Sequence, residues 1–174
     1  MNKTALEFLP LGLHHESAIA DYLSDFAHAG ESRIHGYFGK PEWTHAETVR
    51  KLNAWSEGQE LNGWVPSTTR FLFVNDRILG SYNFRHELTE PLMTNGGNCG
   101  YSVRPSARRK GYGTLLLANA KDFGRQLGLQ RMLVTCHVEN IGSARVIENN
   151  GGNREDVVFD EASGDRLARY WIEL

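Results

Sequence analysis

The chain has 174 residues, with 19 Lys and Arg against 21 Asp and Glu and a formal net charge of −2. That length predicts a single domain over residues 1–174 built around one core. Hydrophobic residues make up 40% of the chain, which excludes disorder by composition, and the small net charge argues against a general binder of nucleic acid or membrane surfaces.

Hydrophobic spacing and turn residues predict a mixed α/β domain. Helices are indicated where apolar residues recur every three or four positions, and strands where aromatic and branched residues cluster between turns. In chain order the predicted elements are a strand at 5–11, helices at 14–29 and 44–57, strands at 69–74, 77–85 and 98–103, a helix at 113–127, a strand at 131–136, a helix at 141–150, and strands at 157–159 and 166–174.

Local signals support several of these boundaries. Thr44 and Glu47 match a capping box, in which the Thr hydroxyl accepts from the backbone at Glu47 and the carboxylate reaches back. Asn75-Asp76 suits the tight turn of a hairpin. Residues 87–97 hold Pro91 and two glycines, so we expect a long loop before the fourth strand.

Membrane, secretion and metal signals are missing from the sequence. No apolar run approaches the roughly 18 residues that a membrane helix needs, and residues 1–7 lack the apolar stretch of a signal peptide. Cys99 and Cys136 are too few for a disulfide scaffold, so we expect reduced thiols and a cytoplasmic protein. The seven histidines show no metal-ligand spacing, so we expect no metal site.

The charges are unevenly spread along the chain. Residues 1–60 carry 9 acidic and 5 basic side chains, whereas residues 61–174 carry 12 acidic and 14 basic ones. Four of the basic residues fall within seven positions, namely Arg104, Arg108, Arg109 and Lys110. This local excess of positive charge suggests an anionic ligand or another partner.

The basic segment lies between a predicted strand and a predicted helix, and it also holds Gly111 and Gly113. A helix N-terminus offers unpaired N–H groups and partial positive charge, and glycines let the backbone approach an anion closely. These features favour a pyrophosphate site, although a solvated basic turn fits the spacing equally well. The pattern GxxxxGK[ST] is absent, and Leu116 stands where a dinucleotide fingerprint needs its third glycine.

The segment Arg108-Arg109-Lys110-Gly111-Tyr112-Gly113 matches the [Q/R]-x-x-G-x-[G/A] pattern of the GCN5-related N-acetyltransferases, the GNAT superfamily. Residues 100–105 resemble that family's fourth strand, and residues 135–144 resemble its fifth strand and the Asn-led helix that follows. The predicted order of elements is also that of the family. Residues 85–97 and 169–172 resemble a branch known mainly as predicted acetyltransferases of unknown acceptor.

The resemblance implies a central, mostly antiparallel sheet whose fourth and fifth strands splay apart, flanked by about four helices. Acetyl-CoA would lie between these strands, with its pyrophosphate on main-chain N–H groups of residues 109–114. Its pantetheine would pair with residues 101–103, where an N–H near Val103 would polarise the thioester carbonyl. Asn140 and Ser143 would flank the pantetheine arm or the thioester. The implied cofactor-binding residues are Tyr101, Ser102, Val103, Arg108, Arg109, Lys110, Gly111, Tyr112, Gly113, Thr114, Asn140 and Ser143.

The implied reaction is transfer of an acetyl group to a primary amine of a small molecule or peptide by direct attack. The family's usual general acid is a Tyr seven residues after the capping Asn, but Ile147 stands there, so the acid is unassigned. For the base we favour His86 and Glu87, because a His suits proton transfer near neutral pH. A purely structural role for both residues stays open, and His137 is a second candidate.

The acceptor site carries no recognisable motif. Trp43, Trp55 and Trp64 could line it together with the acidic first 60 residues, which would suit a cationic amine, or they could anchor the core and loops. Because the usual Tyr is missing, the alternative function is a non-catalytic acyl-CoA-binding or regulatory domain. Nucleic-acid binding through the basic segment is disfavoured by the net charge, and homodimer formation stays open.

Overall fold

The protein is described here by a computed structural model that covers residues 5–174. Residues 1–4 lie outside the described residues. They belong to the segment 1–7, which lacks the apolar stretch of a signal peptide. The strands are β1 Leu6–Leu9, β2 Ser67–Val74, β3 Arg77–Arg85, β4 Cys99–Val103, β5 Arg131–His137, β6 Gly152–Asp160 and β7 Asp165–Glu173. The helices are α1 Glu16–His28, α2 His45–Ser56, α3 Glu90–Thr94, α4 Tyr112–Gln126 and α5 Ile141–Asn149.

The strands form two antiparallel sheets, one ordered β1-β2-β3-β4 and the other β5-β7-β6. The sheets meet where β4 begins, because the Asn98 amide donates to the Leu133 carbonyl at 2.7 Å and Asn98 Oδ1 accepts from the Leu133 amide at 2.8 Å. Beyond this junction β4 and β5 do not pair. The mixed α/β fold and the splay of the fourth and fifth strands are therefore confirmed.

Helices cover both faces of the sheets. On one face, α4 and α5 bury Leu116, Ile147 and their neighbours against β3, β5 and β7. On the other face, α1 and α2 bury Tyr22 and Leu52 against Phe71 and other residues of β2 and β3. Each cluster excludes apolar area from water, which is the main driving force for this packing.

The start of α2 follows the capping box that the sequence predicts. Thr44 Oγ1 accepts from the Glu47 amide at 3.2 Å, and Glu47 Oε2 accepts from the Thr44 amide at 2.8 Å. This reciprocal pair satisfies two donors at the end of the helix. It also fixes where the connection from α1 ends, and that connection lies over β4.

Two boundaries differ from the sequence prediction. The expected loop at 87–97 contains the short helix α3, in which Pro91 stands in the first turn, where its missing N–H costs nothing. Strand β6 begins at Gly152 rather than at Val157, because its polar first half pairs with β7 while its side chains stay exposed. None of the helices in residues 5–174 is long and apolar enough to cross a membrane.

Candidate functional site

The loop between β4 and α4 forms a concave backbone surface. Arg109 and Gly111 both have left-handed backbone angles, with φ of 62° and 84°, and Gly111 is the N-cap of α4. No side chain caps this helix, and its first main-chain bond runs from the Leu115 amide to the Gly111 carbonyl. The N–H groups of the first turn are therefore oriented outward at the positive end of the helix dipole, as an anion site requires.

Gly113 holds this helix end against α5. A Cβ on Gly113 would lie 3.2 Å from Val146 Cγ2 of α5 and 3.8 Å from Val103 Cγ2 of β4. The glycine therefore lets the end of β4 and the starts of α4 and α5 approach one another closely. The two glycines of the motif have different tasks, since Gly111 supplies a backbone angle and Gly113 supplies space.

Arg104 at the end of β4 does not face the loop's outer surface. Its side chain is 1% exposed and donates to Asp21 Oδ2 at 2.7 Å, to Asp25 Oδ2 at 3.1 Å and to the Ile78 carbonyl at 3.1 Å. The hydrogen bond from Arg104 lowers the pKa of Asp21. Burial raises the pKa of Asp25, but bonds from Ser106 and Arg104 outweigh it, leaving that pKa lowered. Arg104 is therefore not a free cation for a ligand, because Asp21 and Asp25 of α1 already pair with it.

Arg108 is held in a similar way. Its two terminal nitrogens donate to the two carboxylate oxygens of Glu31 at 2.6 and 2.7 Å, and its Nε donates to the Val103 carbonyl at 3.1 Å. The bond from Arg108 lowers the pKa of Glu31. Among the described residues, Arg109 and Lys110 form no ion pair. Of the four clustered cations, these two remain available to a ligand.

The free edge of β4 faces the space between the two sheets, which we call the cleft. The Asn98 carbonyl accepts from Arg85 of β3, and the Arg104 amide donates to Leu79 of β3. Because main-chain groups of an antiparallel strand alternate in direction, the intervening N–H groups of Tyr101 and Val103 are directed into the cleft. This arrangement fits the predicted pairing of an extended ligand with residues 101–103.

Tyr101 and Ser143 meet across the cleft. The Tyr101 hydroxyl lies 2.8 Å from Ser143 Oγ, and Ser143 in turn donates its amide to Asn140 Oδ1 at 3.0 Å. Asn140 is thus the N-cap of α5, as its position in the sequence suggests. Burial raises the pKa of Tyr101, so its phenol keeps its proton. The structure brings three of the predicted cofactor residues together here.

A cavity of about 400 Å³ lies on the α2 side of the first sheet. Trp43, Trp55 and Trp64 line this cavity. The sequence left two interpretations open for them, namely lining an acceptor site or anchoring the core and loops. The rings of Trp43 and Trp55 are 6.0 Å apart, while Trp64 is 72% exposed at the rim. Phe38, from the connection between α1 and α2, completes the aromatic wall.

The innermost part of the cavity comes from β3. Asn83 and Arg85 both line it, and Asn83 pairs in register with Gly100 of β4. Cross-strand neighbours in such a pair share a face of the sheet. Over that face the connection from α1 folds back, because the His35 amide donates to Ser102 Oγ at 2.9 Å and a Cβ on Gly100 would meet the His35 carbonyl. The cavity lining therefore reaches Asn83 of β3, and strand β4 lies between it and the cleft.

The predicted bases lie outside this cavity lining. His86 Nε2 is 2.8 Å from Thr68 Oγ1, and its ring packs against Phe123 of α4. Burial lowers the pKa of His86, and Glu87 is exposed. His137 lies at the end of β5 with Nδ1 3.6 Å from Asp165.

The structure adds three residues that the sequence reading missed, His35, Asn83 and Arg85. The pKa of His35 is lowered, mainly by partial burial and to a smaller extent by the nearby Arg33, His137 and Arg85. His35 lies in a stretch read only as a loop, so no signal could have found it, whereas Arg85 was visible as the last residue of a predicted strand. Within residues 5–174, no three His, Cys, Asp or Glu side chains gather as metal ligands would.

Ile147, at the position where a proton-donating Tyr was sought, is fully buried in the core. It packs with Ala144 and Val146 of the same helix against the second sheet. An aliphatic side chain at this depth cannot donate a proton and cannot approach a ligand. Ile147 is therefore not a general acid, and the two alternatives are a donor elsewhere in the cleft or a thiolate that leaves and takes its proton from water.

Comparison with known proteins identifies the fold. A family model described as the acetyltransferase (GNAT) domain matches residues 10–153. Among curated proteins, none matches the chain by sequence.

Solved structures match nearly the whole chain. The yncA acetyltransferase of Salmonella typhimurium, solved with its cofactor acetyl-CoA, has a TM-score of 0.63 and 17% identity over 98% of this chain and 94% of its own. A Salmonella typhimurium enzyme that modifies the N-terminal serine of ribosomal protein L7/L12 has a TM-score of 0.68 and 16% identity, covering 99% and 96%. RimL, an acetyltransferase of the same ribosomal protein solved with coenzyme A, has a TM-score of 0.69, 16% identity and coverage of 99% and 96%. Likeness at this identity shows a shared fold.

Proposed function

Because the chain belongs to the GNAT acetyltransferase family, we propose that it transfers the acetyl group of acetyl-CoA to a primary amine of a small molecule or peptide. The observation that carries the proposal is the uncapped start of α4 beside the free edge of β4. One surface can bind a pyrophosphate and the other an extended pantetheine, and the two are continuous. The buried free thiols Cys99 and Cys136 fit a reducing compartment, so the proposal places the enzyme in the cytoplasm.

The described residues fit acetyl-CoA as the second substrate. The main-chain N–H groups of residues 109–114 would hold its pyrophosphate, and the free side chains of Arg109 and Lys110 would add charge. The N–H groups of Tyr101 and Val103 would pair with the pantetheine or polarise the thioester carbonyl. When bound, acetyl-CoA supplies an activated acyl carbon with a thiolate leaving group.

In this reaction the protein must keep the acceptor amine neutral, one proton must leave its nitrogen and one proton must reach the leaving sulfur. As the nitrogen–carbon bond forms and the carbon–sulfur bond breaks, the nitrogen loses a proton and the sulfur gains one. We propose the Tyr101 hydroxyl as the donor because of its position in the cleft beside Ser143, the alternative being that the thiolate leaves and takes its proton from water. His86 and Glu87 stay our candidates for the acceptor of the first proton, acting through water because neither lines the cavity.

Calorimetric titration with acetyl-CoA tests the binding half of the proposal. We expect saturable binding, and no binding at millimolar cofactor would overturn it. The transfer half is tested by release of free thiol over a panel of amines.

A non-catalytic acyl-CoA-binding domain is the second candidate, favoured by the buried Ile147. It predicts binding of acetyl-CoA without thiol release from any amine. Turnover that His86→Ala or Glu87→Gln lowers would exclude this candidate and support the water relay.

A further inference from the structure

Arg85 is a guanidinium without a carboxylate partner among residues 5–174. One terminal nitrogen donates to the carbonyls of Gly96 and Gly97 at 3.1 and 3.2 Å, and the group lies 5.7 Å from the Phe38 ring. Burial lowers the pKa of Arg85. A cation that is partly withdrawn from water and lacks an anion is costly, so it marks a place where an anionic group would be stabilised.

Asn83 lies two residues before Arg85 on the same face of β3 and is 1% exposed. Its amide nitrogen donates to Ser67 Oγ at 3.2 Å and to Thr69 Oγ1 at 3.0 Å. Its carbonyl oxygen accepts no hydrogen bond from residues 5–174, and the side chain lines the cavity. Because no buried side-chain oxygen of residues 5–174 lacks a partner, this oxygen is reached by solvent, where it can accept from a ligand N–H.

The rest of the cavity is positively charged. Its lining includes Lys40, Lys51 and Arg85 against a single carboxylate, Glu60. Glu60 is already shared, because Lys51 lies 3.8 Å from one oxygen and Arg50 lies 2.5 Å from the other. An acceptor with several positive charges would be repelled here. The expectation of a site suited to a cationic amine, taken from the acidic first 60 residues, therefore fails.

The walls of the cavity are aromatic. Trp43, Trp55 and Phe38 line the sides, and Trp64 exposes most of its ring at the rim. Such walls favour a flat apolar group, which stacks on the rings and removes their area from water. The volume of about 400 Å³ is in the range of sites for small molecules.

We propose that the acceptor is a small amine that also carries a carboxylate and a flat apolar group, an aromatic amino acid in chemical class. The carboxylate pairs with Arg85, the ring lies among the tryptophans, and the Asn83 carbonyl accepts from the amine. Asn83 lies one strand from the edge of β4, and the nitrogen must reach the acyl group past the His35 segment, which covers Gly100 on this face. The inference rests on the proposed function, since it names the acceptor of that reaction.

Thiol release with matched acceptors tests the proposal. Phenylalanine, phenylalaninamide, 2-phenylethylamine and spermidine differ in the carboxylate, the ring and the charge. We expect kcat/KM for phenylalanine to exceed that for phenylalaninamide by about tenfold or more, as a charge-assisted hydrogen bond provides. The less basic amine of the amide would give the opposite order without such a contact. A preference for the amide or for spermidine overturns the proposal.

The variant Arg85→Gln tests whether Arg85 is the residue that recognises the carboxylate of the acceptor. We expect the ratio of kcat/KM for phenylalanine to that for phenylalaninamide to fall to one or below, while the affinity for acetyl-CoA stays at the wild-type value and reports an intact fold. Arg131→Gln is the matched control, because Arg131 also lies over a tryptophan, 4.0 Å from the Trp171 ring, outside the cavity. An unchanged ratio in Arg85→Gln overturns the assignment.

Binding without turnover separates this inference from the proposed function. Three of the four tryptophans line the cavity, so 3-phenylpropionate should change the tryptophan fluorescence on binding, whereas 2-phenylethylamine should bind at least tenfold more weakly. If 3-phenylpropionate binds and no amine releases thiol, the acceptor site stands and the transfer proposal fails. If an amine is acetylated and 3-phenylpropionate does not bind, the acceptor class is wrong and the transfer proposal stands.

Discussion

Arg104 and Arg85 occupy comparable places, since each lies at the end of a strand in the same sheet and is withdrawn from water. Arg104 at the end of β4 has two carboxylates from α1 within 3.1 Å. Arg85 at the end of β3 has two main-chain carbonyls and no carboxylate among the described residues. The guanidinium of Arg104 therefore stabilises the fold, and the guanidinium of Arg85 can still pair with an anionic ligand.

The same contrast applies to the two sides of the site. On the proposed cofactor side, the chain's own acidic residues neutralise Arg104 and Arg108, and the backbone is the proposed anion site. On the acceptor side, the cations outnumber the carboxylates of the cavity. A charge therefore indicates function only once its partners in the folded chain are known.

The backbone anion site is broken most severely by Gly111→Asp. A carboxylate at the uncapped start of α4 would face the pyrophosphate, so we expect the affinity for acetyl-CoA to fall by about 100-fold or more. Gly128→Asp is the control, because Gly128 has a similar φ of 81° and equally open surroundings at the other end of α4. Equal affinities of the two variants in calorimetry would contradict the assignment.

The two buried arginines should differ in their effect on stability. We expect Arg104→Gln to lower the free energy of unfolding by about 2 to 3 kcal/mol, because it takes the buried cation away from Asp25, which is 21% exposed, and from the more exposed Asp21, which keeps Arg77. Arg85→Gln should cost about 1 kcal/mol, since it breaks hydrogen bonds to two carbonyls only. Urea unfolding measures both, and equal losses would remove the distinction between them.

Tyr101→Phe tests the chemistry at the cleft. Loss of the hydroxyl should lower kcat by about 100-fold or more, as for removal of a general acid, and leave the affinity for acetyl-CoA nearly unchanged. Tyr82→Phe on the neighbouring strand β3, whose hydroxyl donates to Asn119 of α4, is the control and should keep its kcat. A lower affinity with unchanged kcat in Tyr101→Phe would show a role in packing alone.

The smallest effect concerns acid conditions. The pKa of Glu31 is lowered from 4.5 by Arg108, so its ion pair stabilises the fold above that pH and is lost as the pH falls through the lowered value. We expect Glu31→Gln to reduce the free energy of unfolding by less than about 1 kcal/mol from pH 7 to pH 5, since the pair is partly exposed. The difference from the wild type should shrink as the pH falls through the lowered pKa. Glu57→Gln, at an exposed carboxylate outside the recorded ion pairs, should show no such difference.

Local sequence signals predicted much of the fold and part of the site. Capping at Thr44 and Asn140 and the glycines of the loop before α4 act over a few residues, so they are visible in the sequence. The partner of Arg104 lies 83 positions away, and no local pattern reveals such a contact. For the same reason the missing partner of Arg85 became visible only when the fold showed its surroundings.

The contact between α1 and the cofactor loop also orders events in folding. Closing the long chain segment between Asp21 and Arg104 is entropically costly, so this contact forms after the local hairpins and helices. Asp25 of α1 also accepts from the Ser106 amide at 3.0 Å, so docking of α1 fixes the chain just before the proposed anion site. Substitutions in α1 that touch no ligand should therefore weaken acetyl-CoA binding, and bound acetyl-CoA should slow hydrogen exchange of the α1 amides.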